Sequence, residues 1–358
     1  MKLKLKRKPK QHSMKRVVGV TVWLLAALSF SSVAVTYAAA DGSCDASGSS
    51  SPTKLLNSAF VFVKPHANTP LTRKLVKEKL TEAGIDVLSE SSIDGKEIDE
   101  KQLIDQHYYA IASKATILKA KDIPVPADKF QEAFGESWEQ VLKEGRACNA
   151  MEACELFGCS ASELNDAWQS NNVVKFGGGF YCAPVSLNGK PEMYVFNAFF
   201  MNMRSQFVGE GKAIYYYVVQ WDPETLSWSD FRNQLLGPTN PTDAPIGSIR
   251  RTILDQYEKL GLSSQPNKGE NGVHASASPF EGLAEKLNWL GISIDEDDFG
   301  QALLSSGMPR DRILNWSKDP QVLLNESGDR GSVFDALEDM DVFHCLDKLI
   351  LLNDANSE

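Results

Sequence analysis

The chain of 358 residues is poor in the side chains that announce metal or thiol chemistry, with five histidines and six cysteines. Cys148, Cys154 and Cys159 lie close together, yet their spacing matches no paired CxxC zinc pattern and no histidine stands near them. With Cys44, Cys182 and Cys345 they are expected to form one or two structural bridges or to be buried thiols. Gly177-Gly178-Gly179 lacks the Lys-Ser/Thr that completes a P-loop and reads as a turn. The acidic run Asp295–Asp298 lacks EF-hand spacing, which makes it a solvated helix start. No internal repeat is present. No acidic residue precedes Asp41, whereas eight lysines and arginines do; taking these from the net charge of −10 leaves −18 for residues 41–358. Such a body repels a phosphate backbone, so a nucleic-acid partner is not expected.

One long apolar run is present, Val17 to Ala40, behind the basic leader and ending in Ala38-Ala39-Ala40. A basic flank, an apolar stretch and a small-x-small end predict a signal peptide or an uncleaved signal anchor over 1–40. The expected destination is the secretory lumen, the exterior, or a membrane tether through 17–40, with organelle delivery as a variant. Residues 41–56 read as a Ser/Gly-rich linker.

Beyond it, Ala59–Val63 (AFVFV) is a buried strand stopped by Lys64-Pro65. Thr69-Pro70 opens a helix with Leu71, Leu75, Val76, Leu80 and Ala83 on its apolar face, and Gly84 ends it. Ile85–Leu88 is a second strand, Glu97–Tyr109 a helix, Phe199–Phe207 another helix and Ala213–Trp221 (AIYYYVVQW) the most strand-like run. Leu226–Leu235 reads as helical, and Ser278-Pro279-Phe280-Glu281 is a capping box before an apolar-faced helix. Residues 110–196 mix helical stretches with a hairpin through Phe180–Ser186 and Met193–Phe196, and 291–358 looks mostly helical. The order of elements predicts an α+β sandwich, one antiparallel sheet covered by helices.

Four separated pieces carry a recognisable pattern: Val63-Lys64-Pro65, Gln106-His107-Tyr108, the loop Leu236–Arg250 (LGPTNPTDAPIGSIR) and Asn271-Gly272-Val273-His274-Ala275-Ser276. In this order they resemble the nucleoside diphosphate kinases. The resemblance covers roughly 57–108 and 197–290. It implies a ferredoxin-like sandwich with a four-stranded sheet, a domain over 57–290 interrupted by an insertion at 110–196, and a C-terminal extension at 291–358. It also implies an enzyme that moves the γ-phosphoryl of a nucleoside triphosphate to a nucleoside diphosphate through a phosphohistidine at His274, with Mg2+ carried by the nucleotide and a homo-oligomeric assembly.

The chemistry fits that pattern. A neutral imidazole attacks phosphorus only if its other nitrogen is fixed by an acceptor. The resemblance gives this task to Glu285, with Glu281 one turn earlier as the fallback and Ser276 bracing the carboxylate. Lys64 then meets the γ-phosphate and Tyr108 places its hydroxyl beside it. Thr239 and Arg250 match positions that hold the leaving phosphates, Asn271 the contact to sugar and phosphate, and Phe199 the aromatic that stacks on the base. His107 reads as a helix-end residue, and His66 as ordinary.

Several positions depart from the family. A basic β-phosphate contact falls on Asn233, for which Arg232 or Arg204 are the candidate substitutes. Carboxylates near the metal become His66, Ala277 and Ala110, and an arginine becomes Glu270. These changes sustain an alternative, a nucleotide-binding or assembly module of the same fold with little or no turnover.

Overall fold

A computed structural model describes residues 54–325 and 327–357. Ten strands are found among them: β1 (Asn57–Val63), β2 (Asp86–Asp94), β3 (Ala147–Asn149), β4 (Val174–Gly177), β5 (Phe180–Val185), β6 (Met193–Phe196), β7 (Ala213–Trp221), β8 (Val273–Ala275), β9 (Gln321–Leu323) and β10 (Arg330–Ser332).

The apolar run around Val61 has no polar alternation because β1 is central, and both its faces are covered. The sheet order is β2-β7-β1-β8 with every pairing antiparallel. On one face Ala59, Val61 and Val63 pack with Val76, Leu80, Tyr217, Val219, Ile249 and Ile253. On the other Phe60 and Phe62 pack with Ile98, Ile104, Ile214, Val218 and Trp289. The result is the expected α+β fold: a four-stranded antiparallel sheet covered by helices, with the strand order of a ferredoxin-type sandwich.

The helix Pro70–Glu82 begins as its sequence dictates, with Thr69 Oγ1 accepting from Thr72 N at 3.1 Å and Pro70 in the first turn. The strand expected at Ile85–Leu88 is longer, because a bulge between Val87 and Ser89 lets β2 follow β7 to Asp94. The single helix expected at Glu97–Tyr109 is split. Gln102 sits in the left-handed region at φ 53°, separating Gly95–Glu100 from Leu103–His107 and setting the direction of His107 and Tyr108. Leu226–Leu235 is likewise irregular, a short turn of helix at Trp228–Asp230 running into a wider π-type turn at Phe231–Leu236.

Residues 147–196 supply a second sheet, order β3-β6-β5-β4, with helices packed on it through Phe157, Leu164, Trp168 and Phe200. From 291 onward the chain is not helical throughout: β9 and β10 form a hairpin. Helices of this region close over Phe280 and Leu283 of the helix Pro279–Leu290, so the extension shares a core with the helix that carries Glu285.

One expectation is corrected, and the choice left open for the cysteines falls to free thiols. No helix among the described residues is long and apolar enough to cross a membrane. The run 17–40 lies outside the described residues, and the secretory, secreted or membrane-tethered destination, organelle delivery included, is withdrawn. Nor do bridges form among the described cysteines: Cys148, Cys154, Cys159, Cys182 and Cys345 are free thiols. Burial raises the thiol pKa of all five, which keeps them protonated.

Candidate active site

β8 is three residues long, and its alternation decides the site. Val273 and Ala275 enter the core, while His274 between them turns to the opposite face, opposite Phe62 of β1. The imidazole stacks on the Phe62 ring with centroids 4.7 Å apart, which fixes its plane. Its Nε2 lies 2.5 Å from Glu285 Oε1, and the side chain retains 15% exposure against 4% for Glu285. The other nitrogen, Nδ1, makes no hydrogen bond to the described protein.

Glu285 reaches the ring because Ser278 and Pro279 start its helix just after β8, and residue 285 falls two turns in, facing the sheet. Ser278 Oγ accepts from Glu281 N at 3.2 Å. Glu281 reaches back to Ala277 N at 3.0 Å, one residue beyond the usual capping box, while Glu285 meets the imidazole. Ser276 Oγ donates to Glu285 Oε2 at 2.5 Å and accepts from Phe60 N at 2.9 Å, tying the carboxylate to β1.

A second imidazole, unforeseen as part of the site, joins this cluster. His107 packs edge-on against His274 at 4.7 Å and places Nδ1 3.4 Å from Glu285 Oε1. Trp289 Nε1–H donates to His107 Nδ1 at 3.3 Å, so that nitrogen is an acceptor. Its position next to Tyr108 in Gln106-His107-Tyr108 was the available signal; the break at Gln102 that aims it was not readable. His107, His274 and Glu285 form a group able to hold a metal among the described residues, and hydrogen bonds already account for its contacts.

The electrostatics follow from burial. Burial, then the positive charges of Lys64, Arg250 and Arg232, hold His274 well below the ordinary imidazole range, so the ring is neutral at neutral pH. Burial pushes Glu285 up to about 8, opposed by hydrogen bonds from Ser276 and Glu281. Burial and the neighbouring Glu285 push Glu281 well above the carboxyl range, so Glu281 keeps its proton and can donate it toward Glu285. Tyr108 is pushed up to about 12 by burial and by Glu285 and Glu281, and stays a phenol.

Lys64, at the end of β1, donates from Nζ to Gly269 O at 3.3 Å; its backbone N–H donates to Gly272 O at 2.9 Å. Burial and then Arg250 lower its pKa to about 8, with Glu270 opposing. A cavity of about 450 Å³ opens here, lined by Lys64, Tyr108, Phe199 and Glu270. Phe199 meets the rings of Trp168 and Tyr181. Thr239 and Asn271 are neighbours: Asn271 Nδ2 donates to Thr239 O at 3.0 Å, and its buried Oδ1 has no partner.

Arg250 serves the scaffold. It donates from Nη1 to Gly237 O at 2.7 Å and from Nε and Nη2 to Val273 O at 3.2 and 2.9 Å, which uses three of its donors to hold β8 against the loop. His66 does a similar task that sequence reasoning overlooked. Burial, then Lys64 and Lys212, lower its pKa to about 4, and the neutral ring accepts from Gly272 N at 3.1 Å. Neither candidate replaces the cation missing at Asn233: Arg204 pairs with Asp105 and Asp99, and Arg232 with Glu338 and Asp339. Asn233 itself is exposed and donates to Ser229.

A nucleotide-borne Mg2+ needs oxygen donors, and one or two carboxylates beside the phosphates suffice. Glu270, the carboxylate on the wall of the Lys64 cavity, fits that need.

No family model matches the chain, and no curated protein matches it by sequence. Solved structures do resemble it. A nucleoside diphosphate kinase from Encephalitozoon cuniculi is 14% identical, with 66% of this chain and 90% of that one covered and a TM-score of 0.31. One from Aquifex aeolicus is 12% identical over 66% and 95%, TM-score 0.32. One from Borrelia burgdorferi, with bound vanadate and ADP, is 15% identical over 64% and 83%, TM-score 0.28. A fold hosts many activities, so function is decided by the groups around His274.

Proposed function

We propose that the chain is a phosphotransferase of nucleoside diphosphate kinase type, with His274 Nδ1 as the nucleophile. The observation that carries this is the contact of Nε2 with Glu285 Oε1 at 2.5 Å, which leaves Nδ1 as the nitrogen free to attack. When Nε2 bears the proton and Glu285 is ionised, the lone pair sits on Nδ1. In the forward step the Nδ1–P bond forms as the bond from the γ-phosphorus to its bridging oxygen breaks, and the diphosphate leaves with the electron pair. A second diphosphate then takes the phosphoryl group from His274 in the reverse sense.

Glu285 offsets the positive charge that the ring acquires, and Ser276 holds Glu285 in place. Lys64 neutralises the γ-phosphoryl oxygens and Tyr108 donates a hydrogen bond beside it. Phe199 supplies a stacking face for the base, which suits any base. Thr239 and Asn271 receive the phosphates and sugar, with Arg250 holding their loop in place. Mg2+ bound with the nucleotide would add charge neutralisation, held by Glu270. A homo-oligomer belongs to the same proposal. Incubating the full chain with γ-labelled ATP is expected to give an acid-labile label that His274→Ala abolishes; no label on the wild-type chain defeats the proposal.

One observation favours the second reading, a nucleotide-binding module with little turnover. Arg204, Arg232 and Arg250 are all engaged by carboxylates or carbonyls, so the phosphates meet fewer free cations. Calorimetry that finds nucleotide binding beside undetectable exchange selects this reading.

A further inference from the structure

Two lysines outside the site described above face one cavity. Lys114 follows the helix-end segment that carries Tyr108, and Lys318 belongs to the C-terminal extension. Both line a space of about 770 Å³, together with Ser113, Gly178, Asn315 and Gln321. Neither ammonium pairs with a carboxylate among the described residues. Lys114 Nζ donates to Ala110 O at 2.8 Å and stands 5.4 Å from the Phe180 ring centre; Lys318 Nζ stands 5.5 Å from that of Tyr109. A cation on an aromatic face keeps its charge available to an incoming anion. Two carboxylates share the wall. Asp319 is turned to its own chain, accepting from Ser332 Oγ at 2.5 Å and Phe334 N at 3.0 Å, and Asp311 is exposed at the start of its helix.

The imidazole of His274 does not line this cavity, but a neighbouring space does reach it. A smaller space of about 190 Å³, lined by His274 and Tyr108, shares Tyr109, Ala110, Lys318 and Asp319 with the larger one. The walls of the larger space come from 109–114, Gly178 and 311–321, parts of the chain beyond β1, β2, β7 and β8. Its volume suits a small organic molecule, not a lone ion. Unpaired ammonium groups with hydroxyl and amide side chains between them recognise phosphate oxygens.

We propose that this cavity is a second binding site, for a small organic phosphate gripped between Lys114 and Lys318. The proposal does not rest on phosphoryl transfer at His274. The test is calorimetry of the full chain with inorganic pyrophosphate in a Lys64→Gln background, which removes the cation of the other cavity. Binding is expected there, weakened ~tenfold or more when Lys114→Gln and Lys318→Gln are added. Hydrogen exchange should show pyrophosphate protecting residues 109–118 and 311–321. Absence of binding, binding indifferent to both lysines, or protection confined to 64–68 and 267–272 overturns the proposal. Lys318 is exposed, so Lys318→Gln alone serves as the test should the double variant fail to fold.

Discussion

Replacing Glu285 by glutamine tests the heart of the site with little change in shape. The carboxyl group is 4% exposed, lies 2.5 Å from the ring Nε2 and accepts from Ser276 at 2.5 Å, so solvent screening cannot hide its loss. As phosphorus bonds to Nδ1 the ring becomes cationic, and its Nε2–H bond to a buried carboxylate becomes charge-assisted. Such a bond contributes about 1.5–3 kcal/mol, where a neutral one contributes about 0.5–1.5 kcal/mol. An amide in its place retains at most the neutral bond and can also present an N–H to Nε2, which moves the ring proton to Nδ1 and removes the nucleophile. At ~1.4 kcal/mol per decade, the full charge-assisted term slows label transfer to His274 by ~10- to ~150-fold. The assay is single-turnover incorporation of label from γ-labelled ATP, with thermal melting to show that the variant folds. A folded Glu285→Gln chain that labels within ~threefold of wild type refutes the reasoning.

The pH profile follows from the same groups. Glu285 must be ionised and Lys64 protonated, and both titrate at about 8, so label transfer should trace a narrow bell centred near there, with the rising limb absent in Glu285→Gln. For stability the sign is opposite to that of an ordinary ion-paired carboxylate. Glu285 is raised from 4.5 to about 8, so its contribution is complete below the lower value and lost as pH rises through the upper one; the depressed His274 and His66 act in the opposite sense below the ordinary imidazole range, so the Tm of wild type should fall relative to that of Glu285→Gln as pH rises toward about 8. Arg250→Lys loses the fork that grips Val273 and Gly237 and should destabilise the fold by ~1–3 kcal/mol in denaturant titration; unchanged stability would return Arg250 to a purely ligand-facing role. Gly237→Ala should lower Tm, because residue 237 has φ 88° and an added Cβ would lie 2.8 Å from both Ala244 Cβ and Ser248 Oγ.

Much of the scaffold was legible in the residues. The AFVFV run announced a buried strand, Thr69-Pro70 a helix start and Ser278-Pro279 another, because each depends on contacts within a few residues. The resemblance gave Glu285 its task, and the short path of a strand end, a capped turn and two helical turns is what lets residue 285 meet the ring. Glu281 was the fallback on the same helix face, with the helix cap as its expected task. Its carboxylate accepts from Ala277 N, one residue beyond the usual box, a shift decided by the geometry of the turn.

Long-range partners could not be read in this way. Arg250 read as a phosphate contact from its surroundings in Gly-Ser-Ile-Arg, yet its guanidinium is held by carbonyls 13 and 23 residues away. Arg204 and Arg232 looked available, but partners about 100 residues distant take their charges. The sequence alone determined which residue types gather here and how the sheet alternates around His274, for those follow from local propensity and periodicity. Only tertiary packing decided which nitrogen of that ring meets a carboxylate, which cations remain unpaired and which cavities reach it. Such facts depend on distances between segments that the chain connects through long loops, where sequence imposes almost no geometric constraint.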